Sequence, residues 1–443
     1  MPPLSRRSLL VALSGAGLAL STTATPASAN QTPTLIDALT RASHPLRTTS
    51  PRGNLRDLHP LGAAIGNTPV VALGEVAHGA RELFTLKHRV FRYLVLEKGF
   101  TTFALETSWT SGLRLSDYVR HGTGDPRGIM AEEFGGGAWP WGVREYLDLI
   151  EWMRDHNRRH PETQVQFMGN DLAHPYIPGT LFDDVINYVA EHYPALRHRF
   201  VELYRDLKAH ATTDEFSALP QPRRRRIAAL ARRAERLLAA QPPGADRATH
   251  DWTAQHARVI AQTATLLAFD LEDPTEIPDA MRYRDELMAR NTIWWHHHTG
   301  HKILLSAHNG HTAYQTYDPE NYPVIQGTYI RDLLGADYLS IGTTLGAGAA
   351  TTPDGEDGDW EVRRFDPPRE GSSEHTLNRL PHAYYLLDMR ATPQPAHEWL
   401  RERRPTRDIG PPGDPYRPYT LANGHDLLIH LRQLRPANPL PGI

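Results

Sequence analysis

The sequence predicts an α/β fold: a central sheet rich in parallel strands, helices flanking it, and a helical lid subdomain inserted between its two halves. Three observations carry this prediction. An apolar run at 70–73 is followed by a helical period (Leu83, Leu86, Val90, Tyr93, Leu94) and a second apolar run at 100–106, a strand–helix–strand unit with parallel strands. From 178 to 298 the pattern is helical throughout, with no strand period. Four of the apolar runs stop at acids or histidines, where an open α/β sheet places its ligand crevice.

In chain order, the first 29 residues read as a targeting segment. Ser5-Arg6-Arg7-Ser8-Leu9-Leu10 is a twin-arginine pattern, an apolar run follows from Val11 to Leu20, and Ala27-Ser28-Ala29 is a small-residue cleavage site. The mature chain is expected to begin at Asn30 and to be secreted folded, without stable membrane association. Leu35, Leu39 and Ala42 predict an N-terminal helix, and a short helical stretch between Leu55 and Ile65 is expected to be interrupted at Pro60. Residues 30–177 form the first part of the α/β core, 178–298 the helical lid and 299–443 the second part of the core.

The central stretch is Gly74-Glu75-Val-Ala-His78-Gly79, where the strand at 70–73 runs into a turn bearing an acid and an imidazole. Gly74 and Gly79 are expected to let that turn form without a Cβ clash. The second strand ends at Glu106, the third (165–169) at Asn170 and Asp171, and the fourth (302–306) at His308 and His311. Between them, 107–160 is helical around a turn at Gly135-Gly136-Gly137. Ile227, Leu230, Ala234, Leu237 and Leu238 mark the apolar face of an arginine-rich lid helix. Further strands are expected at 338–343, 383–387 and 426–430, with a glycine-rich mobile loop at 346–371.

Composition narrows the chemistry. The chain has 443 residues, a net charge of −3 and 40% hydrophobic residues, an ordinary soluble balance that gives no reason to expect nucleic-acid binding. It has no cysteine, which excludes disulfides, thiolate catalysis and cysteine metal sites, and 24 histidines carry any imidazole chemistry. No Gly-x-Ser-x-Gly nucleophile motif is present, so an activated water is favoured over a covalent intermediate. Singly, Glu106 or Asp171 reads as a helix cap or surface carboxylate and His78 as a buried core histidine. Together, ionisable groups at one sheet edge must share protons, imidazoles or a metal. A histidine held by carboxylates is a competent general base near neutral pH. Glu75, His78, Glu106, His308 and His311 could also hold a divalent metal, although the helical His-Glu-x-x-His arrangement is absent. The metal-free site is the preferred reading, with no cofactor required.

Several spaced motifs together resemble the erythromycin esterase family: Gly74-Glu75-Val-Ala-His78-Gly79, Arg81-Glu82, Gly99-Phe100 through Glu106, and Ala307-His308-Asn309-Gly310-His311. Trp152-Met153-Arg154 and Arg284-Asp285 to Asn291 look similar to its flanking helices, and the likeness runs from about Ile65 to Arg390. The resemblance implies hydrolysis of a macrolide lactone by an activated water, with His78 as general base and Glu75, Glu106, His308 and His311 completing the site. Where characterised resistance esterases of that family carry an arginine, this chain has Lys87, which keeps the charge but not the bidentate fork. Lys87, Asp171, Asn309, Trp139 and Trp141 are candidate substrate-binding residues, and core packing explains the two tryptophans equally well. The expected function is a secreted hydrolase opening a lactone or related ester of a small molecule. Water is activated by His78 with Glu75 or Glu106 orienting it, and His308 and His311 stabilise the oxyanion and protonate the leaving alkoxide. The alternatives are a metal-dependent amide or peptide hydrolase and a non-catalytic binding protein for an apolar ligand.

Overall fold

Apolar runs buried on both faces form the middle of a nine-stranded sheet in a computed structural model that describes residues 32–135, 140–353, 359–410 and 414–443. The strands are β1 (Ser43–Pro45), β2 (Val70–Glu75), β3 (Phe100–Ser108), β4 (Gln166–Asp171), β5 (Lys302–His308), β6 (Tyr338–Thr352), β7 (Glu361–Phe365), β8 (Tyr384–Asp388), β9 (Arg404–Arg407), β10 (Tyr416–Tyr419) and β11 (Leu427–Leu434). Their spatial order is β1-β8-β11-β6-β2-β5-β3-β4, with β7 on β6 and a separate β9–β10 pair. From β11 to β4 every neighbouring pair is parallel, while β1, β8 and β7 join antiparallel. The expected parallel-rich α/β architecture is therefore the observed one.

The two-residue alternation of a strand divides the core. Val71 and Leu73 enter one cluster with Leu83, Leu86, Val90, Tyr93 and Leu94 of the helix Arg81–Lys98 and Tyr146, Leu147 and Ile150 of the helix Arg144–Arg159. Val70 and Ala72 face the opposite way, into a cluster built by the helices between 179 and 299. There Ile227, Ala234 and Leu238 of the helix Gln221–Ala239 are buried, with Leu230 and Leu237 packed beside them. The helical stretch thus shares a hydrophobic core with one face of the sheet.

β2 and β3 are parallel, as expected, with β5 between them. Three local expectations are revised. Pro60 sits in the first turn of the helix His59–Ile65, where a missing N–H costs nothing, so it opens that helix and does not break it. Much of the supposed loop after Gly346 is paired backbone: β6 continues to Thr352 and β7 lies antiparallel on it. Small residues such as Gly348 and Ala349 give little strand signal, and the partner strand supplies the order. Of the two turn glycines, Gly79 takes a left-handed conformation (φ +75°), as expected. Gly74 does something else: a Cβ there would lie 2.3 Å from Asn309 Oδ1, so its role is to let the 309–312 segment approach. Gly136 and Gly137 of the expected turn and the targeting segment lie outside the described residues.

Gly112 and Gly169 allow a closer contact still. The helix Trp109–His121 rests directly on β4, and a Cβ at Gly112 would stand 1.9 Å from the Gly169 nitrogen. Backbone on both sides cannot yield as a side chain would. Gly112→Ala is expected to destabilise by at least about 1–3 kcal/mol, measurable as a lowered thermal midpoint, whereas Gly179→Ala, where nothing stands within 4 Å, should fold normally.

Candidate active site

β5 brings the site together. Its last residue, His308, is the parallel partner of Glu75 at the end of β2. On its other side β3 carries Glu106 and, one strand further, β4 carries Asp171. Glu75 therefore belongs to the strand itself and not to the turn that follows. The turn then presents His78, and the short helix Asn309–Thr312 presents His311.

Glu75 is fully buried, and its two oxygens are divided between two partners. Oε1 accepts from His78 Nδ1 at 2.5 Å and Oε2 from Lys87 Nζ at 2.5 Å. Burial favours the neutral acid, but Lys87 and His78 outweigh it and hold the carboxyl below its ordinary value. A carboxylate only accepts, so the His78 proton sits on Nδ1 and the lone pair of Nε2 is the basic position. The His78 side chain is 23% exposed and stands edge-on to Trp141. Lys87 reaches Glu75 from the helix behind it and is itself buried, so it acts on the partner of His78 from within the core.

Glu106 is the hub of a second network. Its Oε2 accepts the backbone N–H of His308 at 2.9 Å, while Oε1 lies 3.3 Å from both Arg284 Nη2 and His311 Nε2. Burial would raise its pKa, yet the charges of His311, His78 and Arg284 and the His308 N–H hold it well below the usual carboxylate range. Arg284 also grips Asp171 Oδ2 through Nε (2.9 Å) and Nη2 (2.5 Å), while Asp171 Oδ1 takes the Leu172 N–H. Asp171 is completely buried with both oxygens engaged. Asn309 is turned away as well: its amide forms two hydrogen bonds with the Thr343 backbone, which latch the 309–312 segment to β6.

The histidines of the second motif are in opposite states. His308 Nδ1 accepts the Gly310 N–H at 3.1 Å, which leaves the proton on Nε2. Burial, reinforced by repulsion from His78 and His311, pushes this imidazole down to about 3, so it is neutral at physiological pH. Its Nε2–H has no hydrogen-bond partner among the described residues. His311 faces Asp285 Oδ1 through Nδ1 at 2.6 Å and Glu106 through Nε2. Burial disfavours its charge, but the two carboxylates win and raise it to about 9. It is an imidazolium with both N–H groups directed at carboxylates.

Trp141 is buried, and its indole N–H donates to the Glu106 carbonyl at 3.0 Å, so it braces β3 and flanks His78. Trp139 lies outside the described residues. Among those residues, no group of three or more His, Asp or Glu side chains is arranged to hold a metal ion. Three residues were not read as part of the site from the sequence: Arg284 and Asp285, noted only in a segment similar to a flanking helix, and Asp408. Arg284 and Asp285 lie mid-helix in Ile277–Thr299, and both are buried. An opposite-charge pair on the apolar face of a long helix was the available signal. Asp408 follows a short strand and had none.

The charge of His311 makes stability depend on pH with a definite sign. Its folded-state pKa is raised above the ordinary 6.5, so its contribution is complete below about 6.5 and is lost as pH rises through about 9. The thermal midpoint should fall over that interval, and His311→Gln should flatten the fall. An equally steep decline in the variant would show that His311 is not charged in the folded protein.

The erythromycin esterase family model matches residues 95–434. Glu106, Asp171, Arg284, Asp285, His308, His311 and Asp408 lie within the match, and Glu75 and His78 just before it. The chain is 25% identical over 372 residues to the erythromycin esterase type II of Escherichia coli, covering 75% of this chain and 84% of that one. Its structure is similar to that of a succinoglycan biosynthesis protein, with TM-score 0.82 and 28% identity over 94% of this chain and all of that one. The fold is also that of a histidine-to-asparagine mutant of the erythromycin esterase EreC in its open conformation, with TM-score 0.69 and 17% identity over 88% of this chain and 97% of that one. With most of its length matched, the chain belongs to the erythromycin esterase family and is a hydrolase of the esterase type.

Proposed function

We propose that this protein opens a lactone or cleaves a related ester of a small molecule, using a water activated by His78 and no metal cofactor. The observation that carries the reading is the pairing of a carboxylate-held imidazole with a neutral one on the next strand: His78 bound to Glu75, and His308 with an unpartnered Nε2–H, their ring centroids 5.2 Å apart. His78 Nε2 takes a proton from water as the water oxygen attacks the acyl carbon. Glu75 fixes the tautomer and stabilises the imidazolium that forms, as the acid does in serine hydrolases. The carbonyl oxygen becomes an oxyanion and accepts from His308 Nε2–H, which no other described residue engages. His311 balances Glu106 and Asp285 and is not assigned proton transfer. Expulsion of the alkoxide, which must itself gain a proton, completes the hydrolysis.

The substrate class rests on the family. One relative is named for erythromycin and another for succinoglycan biosynthesis, so the panel to test spans macrolide lactones and O-acylated sugars. Mass spectrometry of such a panel with the chain from Asn30 onward should show one product that has gained a water. His78→Ala should lower kcat/KM on it by about 10²–10⁴-fold, and full turnover by that variant would remove His78 as the base. Chelation should leave the rate unchanged; loss restored by one added metal ion would mean a metal-dependent hydrolase.

We also propose that the enzyme works outside the cytoplasm after twin-arginine export. Replacing Arg6 and Arg7 by lysine should retain it, unprocessed, inside the cell, as read by immunoblotting of cell and medium fractions.

A further inference from the structure

The leaving alkoxide needs a proton, and neither histidine of the second motif is placed to give one. His311 points both N–H groups at carboxylates, and the single N–H of His308 is assigned to the oxyanion. We propose that Asp408 is the acid that protonates the leaving group, a step that rests on the esterase reading above.

Asp408 follows β9 and is fastened to the catalytic turn by main-chain contacts. Its own N–H donates to Pro415 O at 2.8 Å, the next N–H, of Ile409, donates to Val76 O at 3.1 Å, and Ala77 and Ile409 form a parallel bridge. The carboxyl is thereby held beside the segment that carries His78. Its side chain is 16% exposed, and its Oδ1 is covered and has no hydrogen-bond partner among the described residues. That oxygen lies 3.8 Å from His308 Nδ1, too far for a hydrogen bond to a nitrogen that already accepts from Gly310.

The groups facing the carboxyl are Asp318, Arg417 of β10, His78, His308 and His311. Burial and the charge of Asp318 favour the neutral acid, Arg417, His311 and His78 oppose it, and the balance lifts the carboxyl to about 6. A covered carboxyl oxygen without a donor disfavours the ionised form, and a bound ester that excludes water would disfavour it further. As the acyl carbon–oxygen bond breaks, Asp408 gives its proton to the departing oxygen and becomes a carboxylate. The proton that His78 took from water then restores Asp408, so that one water is consumed and the enzyme is unchanged.

The test compares two esters of one acid, an alkyl ester and a 4-nitrophenyl ester, in the wild type and in Asp408→Asn. An alkoxide cannot leave without a proton, whereas nitrophenolate can. In the variant kcat/KM should fall by about 10²–10⁴-fold for the alkyl ester and by less than about 3-fold for the aryl ester. Equal losses on both esters, or none on the alkyl ester, would overturn the assignment; a purely structural role gives equal losses. His78→Ala should impair both esters alike, so an intact His78→Ala enzyme would sink the base and leave the acid standing. If the wild type hydrolyses neither ester, the esterase reading fails and the role of Asp408 fails with it.

Discussion

Glu75 and His308 are parallel partners at the ends of β2 and β5, and the rest of the site hangs from that pairing. Neighbouring strands are only about 4.8 Å apart, so adjacent strand ends deliver side chains within hydrogen-bonding range of one another. With β5 between β2 and β3, the His308 backbone reaches Glu106 on one side while its imidazole stands beside His78 on the other. Had β5 joined the sheet at its edge, the two acids would be neighbours without an imidazole between them, and burying both would carry a large electrostatic penalty.

Burial of so many charges is tolerated because they alternate. Glu75, Glu106, Asp171 and Asp285 are set against Lys87, Arg284 and a protonated His311. Removing one partner of such a buried pair typically costs about 3–5 kcal/mol, which ties the site to the stability of the fold. The same surroundings give two neighbouring imidazoles opposite states. His308 sees its neighbours' positive charge and a backbone donor and stays neutral, whereas His311 sees two carboxylates and is charged. Residue type alone does not distinguish them; environment does.

Much of this was legible from residue order. Unbroken apolar runs such as Val70 to Leu73 can satisfy themselves only as strands covered on both faces, and the period of Leu83, Leu86, Val90 and Leu94 belongs to a helix lying on one of them. Strand ends at Glu75, Glu106, Asp171 and His308 then follow from where the apolar character stops. Arg284 and Asp285 were harder to see. Two buried charges in mid-helix are written in the sequence as ordinary surface residues, and only distant partners give them meaning: Asp171 and Glu106 for Arg284, His311 for Asp285. The glycine-rich second half of β6, from Gly346, was read as loop for the converse reason, since its order comes from the strand beside it.

The sequence by itself determined the core strands, many of the helices that flank them, and the acids and histidines where those strands stop, because each depends on hydrophobic period and local backbone preference within a few residues. Only the tertiary structure decided that β5 enters between β2 and β3, that Asn309 and Asp171 are tied up in the interior, and that Asp408 arrives beside His78 from near the far end of the chain. Strand order and charge state are set by contacts between distant segments, and no local pattern encodes which of them will meet.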